Sequence, residues 1–215
     1  MAKFPYFSKM PMIFHSQINE ATKIGVWHIT EEEDFFLQHV SLQRSITHPH
    51  KRLQHLAGRY LLRDLFPNFP LALIAVADTR KPFLEDEAFH FSISHCGDYA
   101  AAIVSTENRV GVDIEMPHPK IERIQHKFLS TDELRVLSAA GPANDMLTMA
   151  WSVKEAMFKW YGDGQVDFIK HMEITELIKT ANGFAVRCIF RKNEIQEVQV
   201  MCTKVENNFL SAVVS

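Results

Sequence analysis

The sequence has little cysteine. Its three residues, Cys96, Cys188 and Cys202, are far apart, and no Cys-x-x-Cys spacing occurs. An odd number of widely spaced cysteines is not typical of a disulfide framework, and a zinc knuckle needs closely spaced cysteine pairs. Both classes are therefore disfavoured. We expect a reduced, cytoplasmic protein.

Long apolar runs and a large net charge are also missing. No stretch reaches the roughly 18 apolar residues that span a bilayer. The first residues, MAKFPYFSKMPMIFH, lack the apolar run and small-residue cleavage site of a signal peptide. The formal net charge is -3 and the pI is about 6.4. We therefore expect neither a nucleic acid nor a membrane as a partner.

The composition is that of an ordinary globular protein, with 47% apolar and 23% charged residues in a chain of 215. Such a length forms one domain or two small halves packed together. The segment YAAAIVS at 99–105 resembles FLSAVVS at 209–215, and each comes near the end of one half of the chain. This echo predicts an α+β protein with two related halves, 1–106 and 107–215, in one compact monomeric body.

Helices are predicted where a residue that can begin a helix precedes apolar residues at helical spacing. Thr30 is predicted to cap one helix, with Glu33 at the reciprocal capping position, and Pro49 to begin a second that runs to about residue 66. Ser130, with Glu133, is predicted to begin a third helix. Asn144 or Asp145 is predicted to cap a fourth, which runs through Tyr161 and ends at Gly162.

Strands are predicted from short apolar runs bounded by turn residues. They cover 24–29, 71–77, 89–94, 99–105, 109–115 and most of 172–215, with turns at Gly97-Asp98, Asn182-Gly183 and Asn207-Asn208.

The predicted helix from Pro49 carries a basic face. Arg52, Arg59 and Arg63 are seven and four positions apart, so they share one side of the helix, and Arg44 extends the basic stretch toward the N-terminus. The face is either a solvated stripe or a surface for a phosphate or an acidic partner.

Two carboxylates lie on one side of the strand at 109–115. In the sequence GVDIE, Asp113 and Glu115 alternate with Val112 and Ile114, and therefore point the same way. Side-by-side carboxylates repel unless a cation lies between them, and oxygen ligands suit Mg²⁺. Taken alone, the pair is more typical of an exposed strand end with two solvated acids.

One face of the predicted C-terminal-half helix carries an acid and a base. Trp151, Glu155 and Lys159 are spaced by four in WSVKEAMFK. A glutamate–lysine pair at this spacing is common on helix surfaces. It would also place an oxygen ligand beside a cation that can face a phosphate.

Two shorter segments offer further polar groups. Ser94 and His95 end a strand just before Gly97, where they can donate to an anion, and Lys81 is held in an extended conformation by Pro82. Each segment alone is also compatible with an ordinary hairpin or loop.

In order along the chain, KPF, SISHCG, GVDIE, WSVKEAMFK and GDG resemble the motifs of the 4'-phosphopantetheinyl transferase superfamily, surfactin (Sfp) type. The resemblance runs from about residue 51 to 167. It implies transfer of the 4'-phosphopantetheine arm of coenzyme A to a serine of an acyl or peptidyl carrier protein, with release of adenosine 3',5'-bisphosphate. It also implies two similar α/β halves related by a pseudo-twofold axis, with the active site in the cleft between them.

The resemblance also implies residue roles. Asp113, Glu115 and Glu155 would hold Mg²⁺. Glu155, or a water held by it and the metal, would be the base, and Lys159 would stabilise the departing phosphate. The coenzyme A contacts would be Lys81, Ser94, His95, Asp113, Lys159, Arg52 and Arg59.

Two other functions are compatible with parts of this pattern. The first is a catalytically silent relative that binds coenzyme A or a carrier protein. The second is an unrelated Mg²⁺-dependent phosphohydrolase that uses the same carboxylates. The chain keeps all three acids and the lysine, and it has no P-loop, which favours the transferase.

Overall fold

Two antiparallel sheets lie at the centre of the computed structural model, which describes residues 11–42 and 45–215; Arg44 lies outside this part. The first sheet has the strand order β1 (Met12–Asn19), β2 (Thr22–His28), β6 (Tyr99–Ser105), β5 (His90–Cys96). The second has the order β7 (Val110–Glu115), β11 (Asn208–Val214), β10 (Ile195–Val205), β9 (Gly183–Arg191), β8 (Met172–Thr180). The two segments of the sequence echo form inner strands, β6 and β11, of different sheets.

Helices cover the outer faces of the sheets. The long helix α2 (Pro49–Leu65) packs on the first sheet and α5 (Ala143–Tyr161) on the second. The shorter elements are α1 (Glu33–Leu37), α3 (Lys120–Ile124), α4 (Thr131–Ser138) and the two-stranded sheet of β3 (Ala75–Val76) and β4 (Pro82–Phe83). Three-residue 3-10 turns lie at Leu71–Leu73 and Gln125–Lys127.

The alternation along β7 determines what lies in each layer. Val112 and Ile114 are fully buried in the apolar core between the two sheets, while the intervening residues face α5. Gly111 allows this close approach, because a Cβ at that position would lie 2.2 Å from the carbonyl oxygen of Ala156. Asp113 and Glu115 therefore lie on the side of the sheet that carries α5.

Several predicted elements are confirmed. The Ser130–Glu133 capping box begins α4, Pro49 occupies the first turn of α2, and Gly162 ends α5 in the left-handed conformation with a φ of 84°. The strands of 172–215 form consecutive hairpins, with two of their turns one residue earlier than predicted. Gly97-Asp98 joins β5 to β6.

Other predictions are wrong at helix beginnings. Thr30 does not cap α1, whose N-cap is Glu32 without a side-chain hydrogen bond. Instead, the Glu31 carboxylate accepts from the Thr30 amide and the Trp27 indole. Helix α5 begins at Ala143 after Pro142, so neither Asn144 nor Asp145 is its cap.

The strand predicted over 71–77 is also wrong in most of its length. Residues 71–73 form a 3-10 turn directly after Pro70, and only Ala75–Val76 remains a strand. The edge strand β1 was not predicted, because half of its residues are exposed and none is buried.

Among the described residues, no helix is both long enough and apolar enough to cross a bilayer.

Candidate functional site

The end of β5, the strand β7 and the last turns of α5 bring three predicted residues into direct contact. The Asp113 Oδ1 atom accepts from Ser94 Oγ at 2.8 Å and from Lys159 Nζ at 2.7 Å. Lys159 Nζ also donates to Ser94 Oγ at 2.8 Å. Asp113 is only 2% exposed, so the ammonium of Lys159 is its immediate counter-ion.

Glu115 and Glu155 lie beside this ion pair as two carboxyls that are easily protonated. Burial, followed by the charge of Asp113, raises the pKa of each to about 7. The Lys159 charge acts against both shifts, and a hydrogen bond from Trp151 also lowers the pKa of Glu115. The three acids therefore form one electrostatically coupled cluster.

The cluster is suited to a divalent cation by its charge and donor chemistry. Fully ionised, it holds three carboxylates against the single ammonium of Lys159, and all its donor atoms are oxygens, which hard ions prefer. No three metal-ligating side chains in residues 11–42 and 45–215 already have the geometry of a metal cage. Because Lys159 pairs with Asp113, a cation would have to exchange with it.

This electrostatic coupling predicts how stability depends on pH without metal. Because the folded pKa values of Glu115 and Glu155 lie near 7, above the usual 4.5, the folded state binds more protons than the unfolded state between these values. In EDTA, the free energy of unfolding should fall by about 1 kcal/mol or more from pH 5.5 to pH 8. Urea denaturation measures it. Glu155→Gln should flatten the dependence, and a rise with pH in the unmodified protein would contradict the prediction.

Lys81 lies near the same end of α5. Its Nζ atom is so close to Gly162 that a Cβ there would lie 2.4 Å from it. Burial, and then the charge of Arg109, lowers the Lys81 pKa. Lys81 and Lys159 line a common cavity of about 210 Å³ between β5 and the end of α5, so two predicted contact residues meet in one space.

His95 follows Ser94 and is exposed. Desolvation of its imidazole lowers the His95 pKa, and the nearby Lys159 charge lowers it further. A neutral imidazole beside the lysine is therefore favoured at neutral pH.

The basic residues of α2 have local partners. The Arg52 guanidinium pairs with Glu33, with a distance of 2.7 Å from its Nη2 atom, and donates to the Ile46 carbonyl. Arg59 Nη1 lies 3.1 Å from His55 Nδ1. Arg59 and Arg63 line a separate cavity with Phe69. Arg52 would have to leave Glu33 to bind a phosphate.

Lys154, to which the sequence pattern assigned no role, is fully buried. Its Nζ atom lies 2.6 Å from Glu133 Oε1 and donates to the carbonyls of Phe128, Phe168 and Met172 at 2.6, 2.8 and 2.9 Å. Lys154 thus ties α5 to three other segments. The sequence does indicate that Lys154 is buried, because it lies at helical spacing in the apolar stripe that contains Ala150 and Met157.

The site combines three acids with a lysine, and these groups are chemically suited to a divalent cation and to a phosphate ester. Residues 109–212, just under half of the chain, match the family model described as the 4'-phosphopantetheinyl transferase superfamily. The matched segment includes Asp113, Glu115, Glu155 and Lys159.

Curated relatives agree with the family model. The enterobactin synthase component D of Salmonella typhi is 35% identical over 120 residues, which cover 53% of this chain and 49% of that protein. The 4'-phosphopantetheinyl transferase AcpT of Escherichia coli O157:H7 is 32% identical over 117 residues, which cover 52% of this chain and 59% of AcpT. The chain therefore spans about half the length of the curated relatives it matches.

Proposed function

We propose that this protein is a 4'-phosphopantetheinyl transferase. It would transfer the phosphopantetheine arm of coenzyme A to a serine hydroxyl of an acyl or peptidyl carrier protein and release adenosine 3',5'-bisphosphate. The observation that carries the proposal is the contact of Lys159 with Asp113 and Ser94 beside two carboxyls of raised pKa, within the segment that matches the superfamily.

The chemistry assigns a role to each group. The seryl oxygen forms a bond to the phosphorus that bears the pantetheine arm, and the bond from this phosphorus to the oxygen of adenosine bisphosphate breaks. Glu155, or a water held by it and the metal, would take the seryl proton as the general base. Lys159 leaves Asp113 and stabilises the negative charge on the departing phosphate.

The remaining contacts hold the substrate. His95 would donate to the phosphates, and Ser94 would do so after its hydroxyl leaves Asp113. Lys81 would hold the nucleotide end from the cavity that it shares with Lys159. Asp113, Glu115 and Glu155 would hold a Mg²⁺ ion, which would neutralise charge on the pyrophosphate. Arg52 and Arg59 stay proposed contacts for the 3'-phosphate.

We also propose a transferase subtype, an oligomeric state and an arrangement of the two halves. We assign it to the Sfp type, as a monomer with halves 1–106 and 107–215 related by a pseudo-twofold axis and the site between them. The inner strands β6 and β11 and the outer helices α2 and α5 support this arrangement. The unpaired cysteines support a cytoplasmic location.

The test is intact-mass spectrometry of an apo acyl carrier protein incubated with this protein, coenzyme A and Mg²⁺. We expect a gain of roughly 340 Da on the carrier, the mass of one phosphopantetheine. Glu155→Gln should abolish the gain. Glu122→Gln, which changes an exposed glutamate on α3, should leave it unchanged and serves as the matched control.

Other outcomes identify the alternatives. Coenzyme A binding with no mass gain on acyl, polyketide-type and peptidyl carriers would indicate a silent binding protein. Release of phosphate from coenzyme A without transfer would indicate a phosphohydrolase. Either result would overturn the transferase.

A further inference from the structure

A row of three polar side chains crosses the second sheet beneath α5. Asp113 on β7 is the direct cross-strand partner of Ser211 on β11, which in turn pairs with Cys202 on β10. Directly paired residues of antiparallel strands point to the same face, with Cβ atoms roughly 5 Å apart. The Ser211 hydroxyl is thus the polar side-chain group next to Asp113 along the sheet.

Two adjacent atoms of this row lack partners. Asp113 Oδ2 and Ser211 Oγ are both buried, and neither has a hydrogen bond to a nitrogen or oxygen atom of the described residues. The Ser211 hydroxyl interacts only weakly, with the thiol of Cys202. Ser211 is 0% exposed, which removes bulk water as an alternative partner. A buried acceptor without a donor therefore lies one strand away from a buried hydroxyl that has only a thiol beside it, and an unpaired buried acceptor costs free energy.

The electrostatics of the third residue support this proximity. Burial raises the pKa of Cys202 to about 12; the Ser211 hydroxyl lowers this value, and the negative charge of Asp113 raises it. The negative charge of Asp113 therefore affects the Cys202 thiol, which lies on the strand beyond Ser211.

The other carboxylate oxygen of Asp113, Oδ1, already accepts two hydrogen bonds. Oδ1 accepts from Ser94 and Lys159 on the side that faces the cleft. When Lys159 moves to a phosphate, Asp113 loses a donor that holds its orientation. A second hydrogen bond, on the sheet side, would keep the carboxylate in place and leave Oδ1 for the cation.

We propose that Ser211 is a positioning residue for the metal site: a rotation of its side chain lets the hydroxyl donate to Asp113 Oδ2 and orient Oδ1 toward the bound cation. The inference rests on the proposed function, because it gives the cation site a supporting hydrogen bond. Ser211 itself touches no substrate.

The test measures Mn²⁺ binding to the metal-free protein by isothermal titration calorimetry. Loss of a hydrogen bond to a metal ligand typically weakens metal binding 10-fold to 100-fold, so we expect Ser211→Ala to raise the Kd about 10-fold. Ser211→Cys keeps a weak donor of similar size and should give an intermediate Kd. In transfer assays, Ser211→Ala should raise the metal concentration for half-maximal rate, while kcat recovers at saturating metal.

Cys202→Ala is the matched control, since it truncates a similarly buried residue of the row but leaves the Ser211 hydroxyl free to donate to Asp113. It should leave the Kd within about twofold. Unchanged Mn²⁺ binding by Ser211→Ala, or equal weakening by Cys202→Ala, would overturn the positioning role. If the unmodified protein binds no Mn²⁺, the metal site fails together with this role. If it binds Mn²⁺ but transfers nothing, only the proposed reaction fails.

Discussion

Lys159→Ala is expected to change catalysis and metal binding in opposite directions. Transfer should fall by a factor on the order of 10²–10³, because the departing phosphate loses its positive partner. Mn²⁺ should bind about 10-fold more tightly, because an ammonium 2.7 Å from Asp113 Oδ1 no longer competes for that oxygen. Steady-state transfer rates and calorimetric titration of the metal-free variant measure the two effects.

The control for this prediction is Lys170→Ala, which removes an exposed lysine of the following loop and should alter neither quantity. Weaker Mn²⁺ binding by Lys159→Ala would mean that the lysine supports the cation site rather than competing with the cation. Transfer within a fewfold of the unmodified rate would remove Lys159 from the chemistry.

Lys154→Met should cause the largest loss of stability. The substitution leaves the buried carboxylate of Glu133 without its cation and three carbonyl groups without their donor. Breaking a buried ion pair from one side costs about 3–5 kcal/mol. Urea denaturation should show this loss in the free energy of unfolding, with the slope unchanged.

A second substitution tests the cause. Adding Glu133→Gln to Lys154→Met should recover part of the loss, because it removes the uncompensated charge and keeps one carbonyl oxygen that can accept from the amide of Ile174 or of Ser130. Equal destabilisation of the single and double variants would show that packing, rather than charge, dominates. Lys170→Met should cost less than about 0.5 kcal/mol.

Local chemistry determined a large part of the site. The alternation in GVDIE placed Asp113 and Glu115 on one side of a strand, and the four-residue spacing placed Glu155 and Lys159 on one face of a helix. Both predictions depend on neighbours in the chain, and the structure contains that strand and that helix. The capping box at Ser130 was predictable for the same reason.

Other features could not be predicted locally, because distant partners decide them. The Glu31 carboxylate bonds to the Trp27 indole, and no local pattern indicates that Thr30 loses its capping position. Arg52 shares a helix with Arg59, yet its guanidinium is paired with Glu33 of α1. The edge strand β1 has no apolar alternation of its own, and pairing with β2 defines it.

The sequence by itself determined the order of the motifs, the elements that carry them and the chemical types of the acids and the lysine, because these follow from spacing and side-chain identity. Only the tertiary structure decided that Lys159 pairs with Asp113, that Lys154 lies at the centre of a buried junction and that Ser211 lies beside Asp113. These contacts join residues 46, 21 and 98 positions apart (159 − 113, 154 − 133 and 211 − 113). Their partners are chosen by sheet register and helix packing, which no local pattern encodes.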